Sequence, residues 1–87
     1  MPNAYSKDDI RAGLVEIFAA VLEIDASEVD DALSPDTCET WDSLRHMQLC
    51  TAIDETFGIA LDMEKQIEIL NFDLAVETVL EELSAKD

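Results

Sequence analysis

The sequence has little glycine, proline or basic residues: two glycines, two prolines and five Lys+Arg among 87 residues. So few chain breakers, together with 48% hydrophobic residues, exclude a disordered chain and favour a folded, mostly helical one. No apolar run approaches the length of a membrane span, and the N-terminus lacks the apolar segment of a signal peptide. We therefore expect a single domain over residues 1–87, with an ordered core at about 6–83 and a cytoplasmic location.

The shortage of basic residues leaves a strongly acidic chain, with 21 Asp+Glu and a formal net charge of −16. Such a charge repels the phosphates of nucleic acids and of anionic membranes, so neither is an expected partner. It would instead steer the protein toward basic patches on partner proteins, in fast and salt-sensitive encounters. Alternatively, the acidic charge serves only to keep the protein soluble, and composition does not decide between the two explanations.

Cysteine is also scarce, because Cys38 and Cys50 form neither a disulfide framework nor a CxxC motif. We expect both to be free thiols. Asp42, His46, Cys50 and Asp54 recur at steps of four on one helix line, and two of them could bind a metal loosely. No second cluster completes a tetrahedral site, so we expect no metal and interpret His46 and Cys50 as partly buried packing residues.

Apolar residues recur at helical spacing in three long stretches. The first follows Ser6, where Asp9 completes a near capping box and Tyr5 could form a hydrophobic staple with Ile10. Gly13 lies inside this stretch, and close helix packing is our explanation for it. The three apolar stripes are Ile10, Leu14, Ile17, Phe18, Val21 and Leu22; His46, Leu49, Cys50, Ile53 and Phe57; and Phe72, Val76, Val79, Leu80 and Leu83.

Between the first two stripes, over residues 23–41, the periodicity fails and turn-forming residues dominate. A loop of this length is either functional or contains short helical turns, and Ile24, Val29 and Leu33 are expected to pin it to the bundle. Its acidic residues lack the central glycine and ligand pattern of an EF-hand calcium loop.

The connection after the second helix predicts a brief helix, with Asp62 as its cap and residues 63–67 as its body. Ile69 and Leu70 are expected to be buried, and Asn71 to cap the last helix. The predicted fold class is therefore all-α: a four-helix bundle of three main helices and one short helix, with a long loop between the first and second.

The stretch Thr40-Trp41-Asp42-Ser43-Leu44-Arg45-His46-Met47 marks the point where this loop ends and the second helix begins. Asp42 and Ser43 are both good N-cap residues, and Gly58 is a typical terminating residue after a helix of about four turns. A helix N-terminus favours negative charge, since its free N–H groups point outward and the macrodipole is positive there. The sequence thus places a serine hydroxyl at an electropositive helix end.

Asp42-Ser43-Leu44, followed one helix length later by Ile53-Asp54-Glu55-Thr56-Phe57-Gly58-Ile59, resembles the acyl carrier protein family over nearly all of the chain. The resemblance implies that a phosphopantetheinyl transferase moves phosphopantetheine from coenzyme A onto Ser43, with the base and Mg²⁺ supplied by the transferase. The arm would then carry an acyl group as a thioester. The expected partners are acyl-activating, acyltransferase or synthase enzymes with basic docking patches, and the expected state is a monomer.

By position relative to Ser43, the resemblance also implies a partner-docking surface. Leu44 and Met47 could equally be buried in the core, and the sequence leaves this open. The docking residues are Asp42, Leu44, Met47, Thr51 and Glu55.

Two departures from the family pattern bear on the pathway. Arg45 and His46 make the surface near the serine mixed in charge, and the Gly-Gly often found before the serine motif of peptidyl carriers is missing. The chain looks more like stand-alone carriers of polyketide or other specialised pathways. An aminoacyl, peptidyl or hydroxyacyl carrier using the same arm is the alternative, and an unmodified acidic adaptor is a hypothesis of a different class.

An alternative role for Ser43 is that of the nucleophile of an enzyme. A serine nucleophile needs an oriented base and donors for an oxyanion. His46 is the single histidine and would have to bend toward the helix N-terminus, and no glycine-rich oxyanion loop accompanies it. We therefore predict a non-catalytic protein.

Overall fold

The computed structural model describes residues 6–86, with the side chain of Lys86 excepted. Helix α1 spans Lys7–Leu22, α2 Ser43–Phe57, α3 Met63–Glu68 and α4 Phe72–Lys86. Within residues 6–86 the chain forms helices, turns and loops, with no strand. This confirms the predicted all-α bundle of three main helices and one short helix.

The helix ends follow the local chemistry of the sequence. The Ser6 hydroxyl accepts from the Asp9 N–H and the Asp9 carboxylate accepts from the Ser6 N–H, which confirms the capping box. Asn71 Oδ1 accepts from the Leu74 N–H at 2.8 Å, as its predicted cap role requires. Gly58 ends α2 at a φ of 67°, where a side chain would be strained.

The two chain ends bear on the predicted staple and on the end of the last helix. Tyr5 lies outside the described residues, so the staple with Ile10 stays a prediction. Helix α4 continues past Leu83 to Lys86. The sequence there contains no glycine or proline that would end a helix earlier, so the apolar stripe ends before the helix does.

Phe18 is at the centre of the hydrophobic core. Its ring meets the ring of Trp41 at 5.3 Å and that of Phe72 at 5.1 Å, both edge to face. Gly13 lets α1 approach α2 closely, because a Cβ there would lie 3.1 Å from Cζ of Phe57. The fully buried large side chains are Phe18, Phe72, Ile10, Leu14, Leu22, Leu49, Ile53, Val76 and Val79.

The long loop is anchored rather than loose. Val29 and Leu33 are buried, and a 3₁₀ turn at Ala26–Glu28 supplies the short helical element that the loop length indicated. The Leu33 carbonyl accepts from the Phe72 N–H at 2.9 Å, which satisfies a free N–H group at the start of α4. The loop thus holds Trp41 and the start of α2 against α1 and α4.

The expected burial of Leu70 is wrong. Leu70 is 63% exposed, whereas its neighbour Ile69 is 2% exposed. The two residues form the tight connection between α3 and α4, and the Leu70 N–H bonds back to the Glu68 carbonyl at 2.9 Å. This turn directs Ile69 into the core and Leu70 away from it, which a count of apolar residues does not reveal.

Candidate functional site

Ser43 is the first residue of α2, and its side chain is exposed. Asp42 is the N-cap, since its Oδ1 accepts from the Arg45 N–H at 2.9 Å. The Ser43 hydroxyl is therefore not needed to cap the helix, and within residues 6–86 it makes no side-chain hydrogen bond of its own. The result is a free alcohol at the positive end of a 15-residue helix, where an attached anion would be stabilised.

The turn that presents Ser43 is tied to the carboxyl end of α1. Thr40 Oγ1 donates to the Leu22 carbonyl at 2.7 Å, just before the turn. Arg45, just after it, contacts the Glu23 carboxylate at 2.7 Å and donates to the Val21 carbonyl. These contacts satisfy free carbonyls at the carboxyl end of α1. They also place the Arg45 guanidinium at the negative end of the α1 dipole.

The Arg45 contacts also change the interpretation of charge near the serine. The side chain of Arg45 is 29% exposed, and its guanidinium is paired within the chain. The mixed charge inferred from the sequence therefore loses its main free cation. The nearby exposed carboxylates, such as that of Asp42, dominate this part of the surface.

His46 is engaged through both of its ring nitrogens. Trp41 Nε1 donates to Nδ1 at 3.0 Å, which makes Nδ1 the acceptor and leaves the proton on Nε2. Nε2 then donates to the Gln66 carbonyl at 2.7 Å, at the end of α3. A histidine held in this way has no lone pair left to take a proton from Ser43.

Ser43 lies on the rim of a recess of about 390 Å³ between the start of α2 and the end of α3. We call this the Ser43 recess. Its apolar wall comes from Ile67 and Ile69, and Ile67 is 66% exposed. The residues that line it are Pro35, Trp41, Asp42, Ser43, His46, Ile67, Ile69 and Leu70.

The sequence predicted only some of the residues that line this recess. It singled out Asp42, Ser43 and His46 as candidates for a chemical or binding role, but gave no such role to Trp41 or Ile67. The signal for Trp41 was its place directly before the cap, since a large apolar residue preceding an N-cap packs beside the helix start. Ile67 gave no such signal, because its proximity to Ser43 depends on how the connection after Gly58 folds back.

The docking residues all lie on the surface. Leu44 is 62% and Met47 64% exposed, so their alternative placement in the core is wrong. Leu44, Met47, Thr51 and Glu55 line one shallow groove along α2. Asp42 lies on the other side of Ser43, in the Ser43 recess, so the structure divides the predicted set in two.

Both cysteines are free, as predicted, and both are buried, whereas only Cys50 was expected to be buried, and that only in part. Burial, with a smaller contribution from the Asp54 carboxylate, raises the pKa of the Cys50 thiol from 9.0 to about 11. Cys50 is therefore a neutral packing residue at physiological pH and a poor nucleophile or metal ligand. Among the described residues no group of three or more His, Cys, Asp or Glu side chains is placed to hold a metal ion.

A larger depression of about 690 Å³ lies on the long loop, and Ser43 is not among its lining residues. Its lining includes the acidic residues Glu28, Asp30 and Glu39. Its lining contains no histidine, lysine or arginine, and its one cysteine, Cys38, is buried, so size alone does not make it the functional site. Ser43 remains the candidate site, because a free hydroxyl, a helix N-terminus and an apolar wall meet there.

Comparison with known families shows to which family the chain belongs. A family model described as a phosphopantetheine attachment site matches residues 12–79, from the middle of α1 into α4. The chain belongs to the phosphopantetheine-attachment-site family. This confirms the resemblance to acyl carrier proteins and identifies phosphopantetheine, covalently attached, as the cofactor. No curated protein matches the chain closely enough to count as a relative.

Membership in the phosphopantetheine-attachment-site family carries coarse functional conclusions. The chain is a carrier that works together with partner enzymes, and carrier domains of this family are generally non-catalytic. Over residues 6–86, every helix is too short or too polar to span a bilayer.

Proposed function

We propose that Ser43 is the attachment residue, and that the chain carries acyl intermediates as thioesters on the phosphopantetheine arm. The observation that carries the proposal is the exposed Ser43 hydroxyl at the first residue of α2, inside the matched family region. The other features of the site fit the group as well. The helix N-terminus suits a phosphodiester, and the Ser43 recess offers an apolar wall to the arm.

In the attachment step, Ser43 Oγ forms a bond to phosphorus and a phosphorus–oxygen bond within coenzyme A breaks. The nucleotide part of coenzyme A leaves, and the hydroxyl proton goes to a base of the transferase. This chain contributes position: Asp42 caps the helix, while Arg45 and Thr40 hold the turn against α1. The attached group supplies the thiol, so the protein itself performs no bond-breaking.

The experiment is intact mass measurement after incubation with coenzyme A, Mg²⁺ and a broad-specificity transferase. We expect one phosphopantetheine increment on the natural sequence and none on Ser43→Ala. Ser27→Ala is the matched control, since Ser27 is another exposed serine at a helical turn, and it should be modified normally. An unchanged mass of the natural sequence would support an unmodified acidic adaptor instead.

We further propose partners in polyketide or another specialised acyl pathway, in the cytoplasm, with the carrier acting as a monomer. The missing Gly-Gly before the serine motif supports this over a peptidyl carrier. An aminoacyl or hydroxyacyl carrier would use the same arm. The class of activating enzyme that loads the modified chain separates these possibilities.

The docking residues are proposed to meet basic patches on these partners. Leu44 and Met47 form an exposed apolar strip beside Ser43, and Glu55 places a carboxylate further along the same groove. Methionine adapts its shape to different surfaces, which suits a carrier that visits several enzymes. The charge of −16 would orient the approach before these contacts form.

A further inference from the structure

Helix α3 is attached to the bundle differently from the other helices. None of its residues, Met63–Glu68, is buried, and the buried anchors Leu61 and Ile69 lie just outside it. Polar contacts hold α3 on two sides: His46 Nε2 bonds to the Gln66 carbonyl, and Lys65 pairs with Glu81 of α4 at 3.5 Å. The bond from His46 ties the carboxyl end of α3 to the start of α2, beside Ser43.

His46 belongs to a continuous series of such bonds. Trp41 donates to His46, His46 donates to the Gln66 carbonyl, and the Gln66 side chain donates to the Leu61 carbonyl at 3.0 Å. The Leu61 N–H in turn donates to the Asp54 carboxylate at 3.0 Å, further along α2. The series begins at the buried Trp41 and ends at Asp54 on α2, and Gln66 of α3 lies between them.

The hydrogen bond from Trp41 fixes the proton on His46. The indole N–H can only donate, and it lies 3.0 Å from Nδ1, so Nδ1 must offer its lone pair. That lone pair exists only while Nδ1 is unprotonated, and the neutral ring must then carry its proton on Nε2. The donor to α3 is thus selected by Trp41.

We propose that His46 is a positioning residue: as the Nε2–H tautomer selected by Trp41, it holds the end of α3 so that Ile67 stays beside Ser43. The proposal rests on the function proposed for Ser43. A partner that reaches Ser43 meets Ile67 and Leu70 at the same time, because these exposed side chains line the Ser43 recess. With α3 already in place, docking does not have to order it.

Three substitutions separate the two bonds of His46. His46→Gln places its amide nitrogen the same number of bonds from Cβ as Nε2 and keeps the donor to Gln66. His46→Asn places an oxygen at the position of Nδ1 and keeps only the acceptor for Trp41. His46→Leu removes both bonds and keeps a side chain of intermediate size.

The first measurement uses the unmodified chain and needs no transferase. Ring ¹H–¹⁵N correlations should show His46 protonated on Nε2 and not on Nδ1. Amide exchange at Gln66 and Ile69 should accelerate about tenfold in His46→Leu and His46→Asn, and much less in His46→Gln. Amides in α1 and α4 should exchange at unchanged rates in all three variants.

The second measurement is the steady-state kinetics of Ser43 modification by the transferase. We expect His46→Leu and His46→Asn to raise the KM for the carrier about threefold or more, with kcat within twofold, since Ser43 itself is held by Asp42 and Arg45. His46→Gln should restore most of the affinity. A loss of packing alone would affect Gln and Asn alike.

A proton on Nδ1, equal behaviour of His46→Asn and His46→Gln, or faster exchange in α1 and α4 equal to that in α3 would each overturn the proposal. Failure of Ser43 to be modified at all would instead overturn the proposed function. The exchange measurement still decides the role of His46 in that case, so the two failures are distinguishable.

Discussion

Helices α1 and α4 meet through apolar side chains, whereas α3 is attached to α2 through polar contacts. Phe18 and Phe72 are fully buried where α1 and α4 pack together. In the Ser43 recess and the neighbouring groove of α2, large apolar side chains are instead exposed among the carboxylates: Leu44, Met47, Ile67 and Leu70. One half of the molecule, where α1 packs on α4, thus uses its hydrophobic residues for stability. The other half, formed by α2 and α3 beside Ser43, exposes large apolar side chains to solvent.

The largest expected effect comes from the interior of the apolar half. Phe18→Ala should lower the free energy of unfolding by about 3–5 kcal/mol, because it removes a ring that packs against both Trp41 and Phe72. Chemical denaturation monitored by circular dichroism measures this loss. Met47→Ala should change the free energy of unfolding by less than about 0.5 kcal/mol, since Met47 is exposed. Similar losses in the two variants would contradict the difference in stability contribution between the two halves.

Arg45 tests the polar connection between α1 and α2. Arg45→Met should destabilise the fold by about 1–2 kcal/mol, chiefly because the Val21 carbonyl loses a charged donor in a partly buried place. Lys7→Met is the control, since Lys7 makes a 3.6 Å ion pair with Glu77 between exposed side chains, a pair expected to contribute about 0–1 kcal/mol. Equal changes in melting temperature would mean that the Arg45 contacts act only as a surface pair.

Cys50 gives a test that depends on pH. Its pKa is raised to about 11, so between about pH 9 and 11 the unfolded chain loses the thiol proton while the folded chain keeps it. Stability should therefore fall as pH rises through this window, by about 1.4 kcal/mol per pH unit from this group. Cys50→Ala should remove this part of the slope, which urea denaturation at pH 8, 9, 10 and 11 would measure. An identical slope in the variant contradicts the assignment.

The smallest expected effect is on the outer surface of α2. Glu55→Gln should raise the KM of a basic partner enzyme for the carrier about two- to threefold at low salt, with stability changed by less than about 0.5 kcal/mol. Glu16→Gln removes the same charge from an exposed position on α1 and should leave the KM unchanged. If both variants weaken binding equally, the total charge matters and the location of Glu55 does not.

The sequence predicted the features that depend on neighbouring residues. The Ser6 capping box, the Asn71 cap and the end of α2 at Gly58 each involve residues within a few positions of one another. The stripe of α1 was equally visible, because helical periodicity assigns residues to a face without knowledge of the partner helix. These are the parts of the fold that sequence reasoning can predict.

The site needed the structure because its contacts join distant positions. Arg45 bonds to the Val21 carbonyl and His46 to the Gln66 carbonyl. Every residue has a backbone carbonyl, so the sequence does not show which one accepts such a bond. The sequence left the exposure of Leu44 and Met47 open for a related reason. Both are apolar residues on α2, and which faces of α2 are buried depends on the helices that pack against it. Leu70 was predicted wrongly because one tight turn reversed its direction.

The chain contains a single tryptophan, and Trp41 forms part of the wall beside Ser43. All indole emission from this protein therefore originates a short distance from the attachment point, with its N–H bonded to a histidine ring. With the arm attached at Ser43, as proposed, we expect the polarity around that one fluorophore, and hence its emission, to change. A fluorimeter could then follow loading of the protein without any added dye.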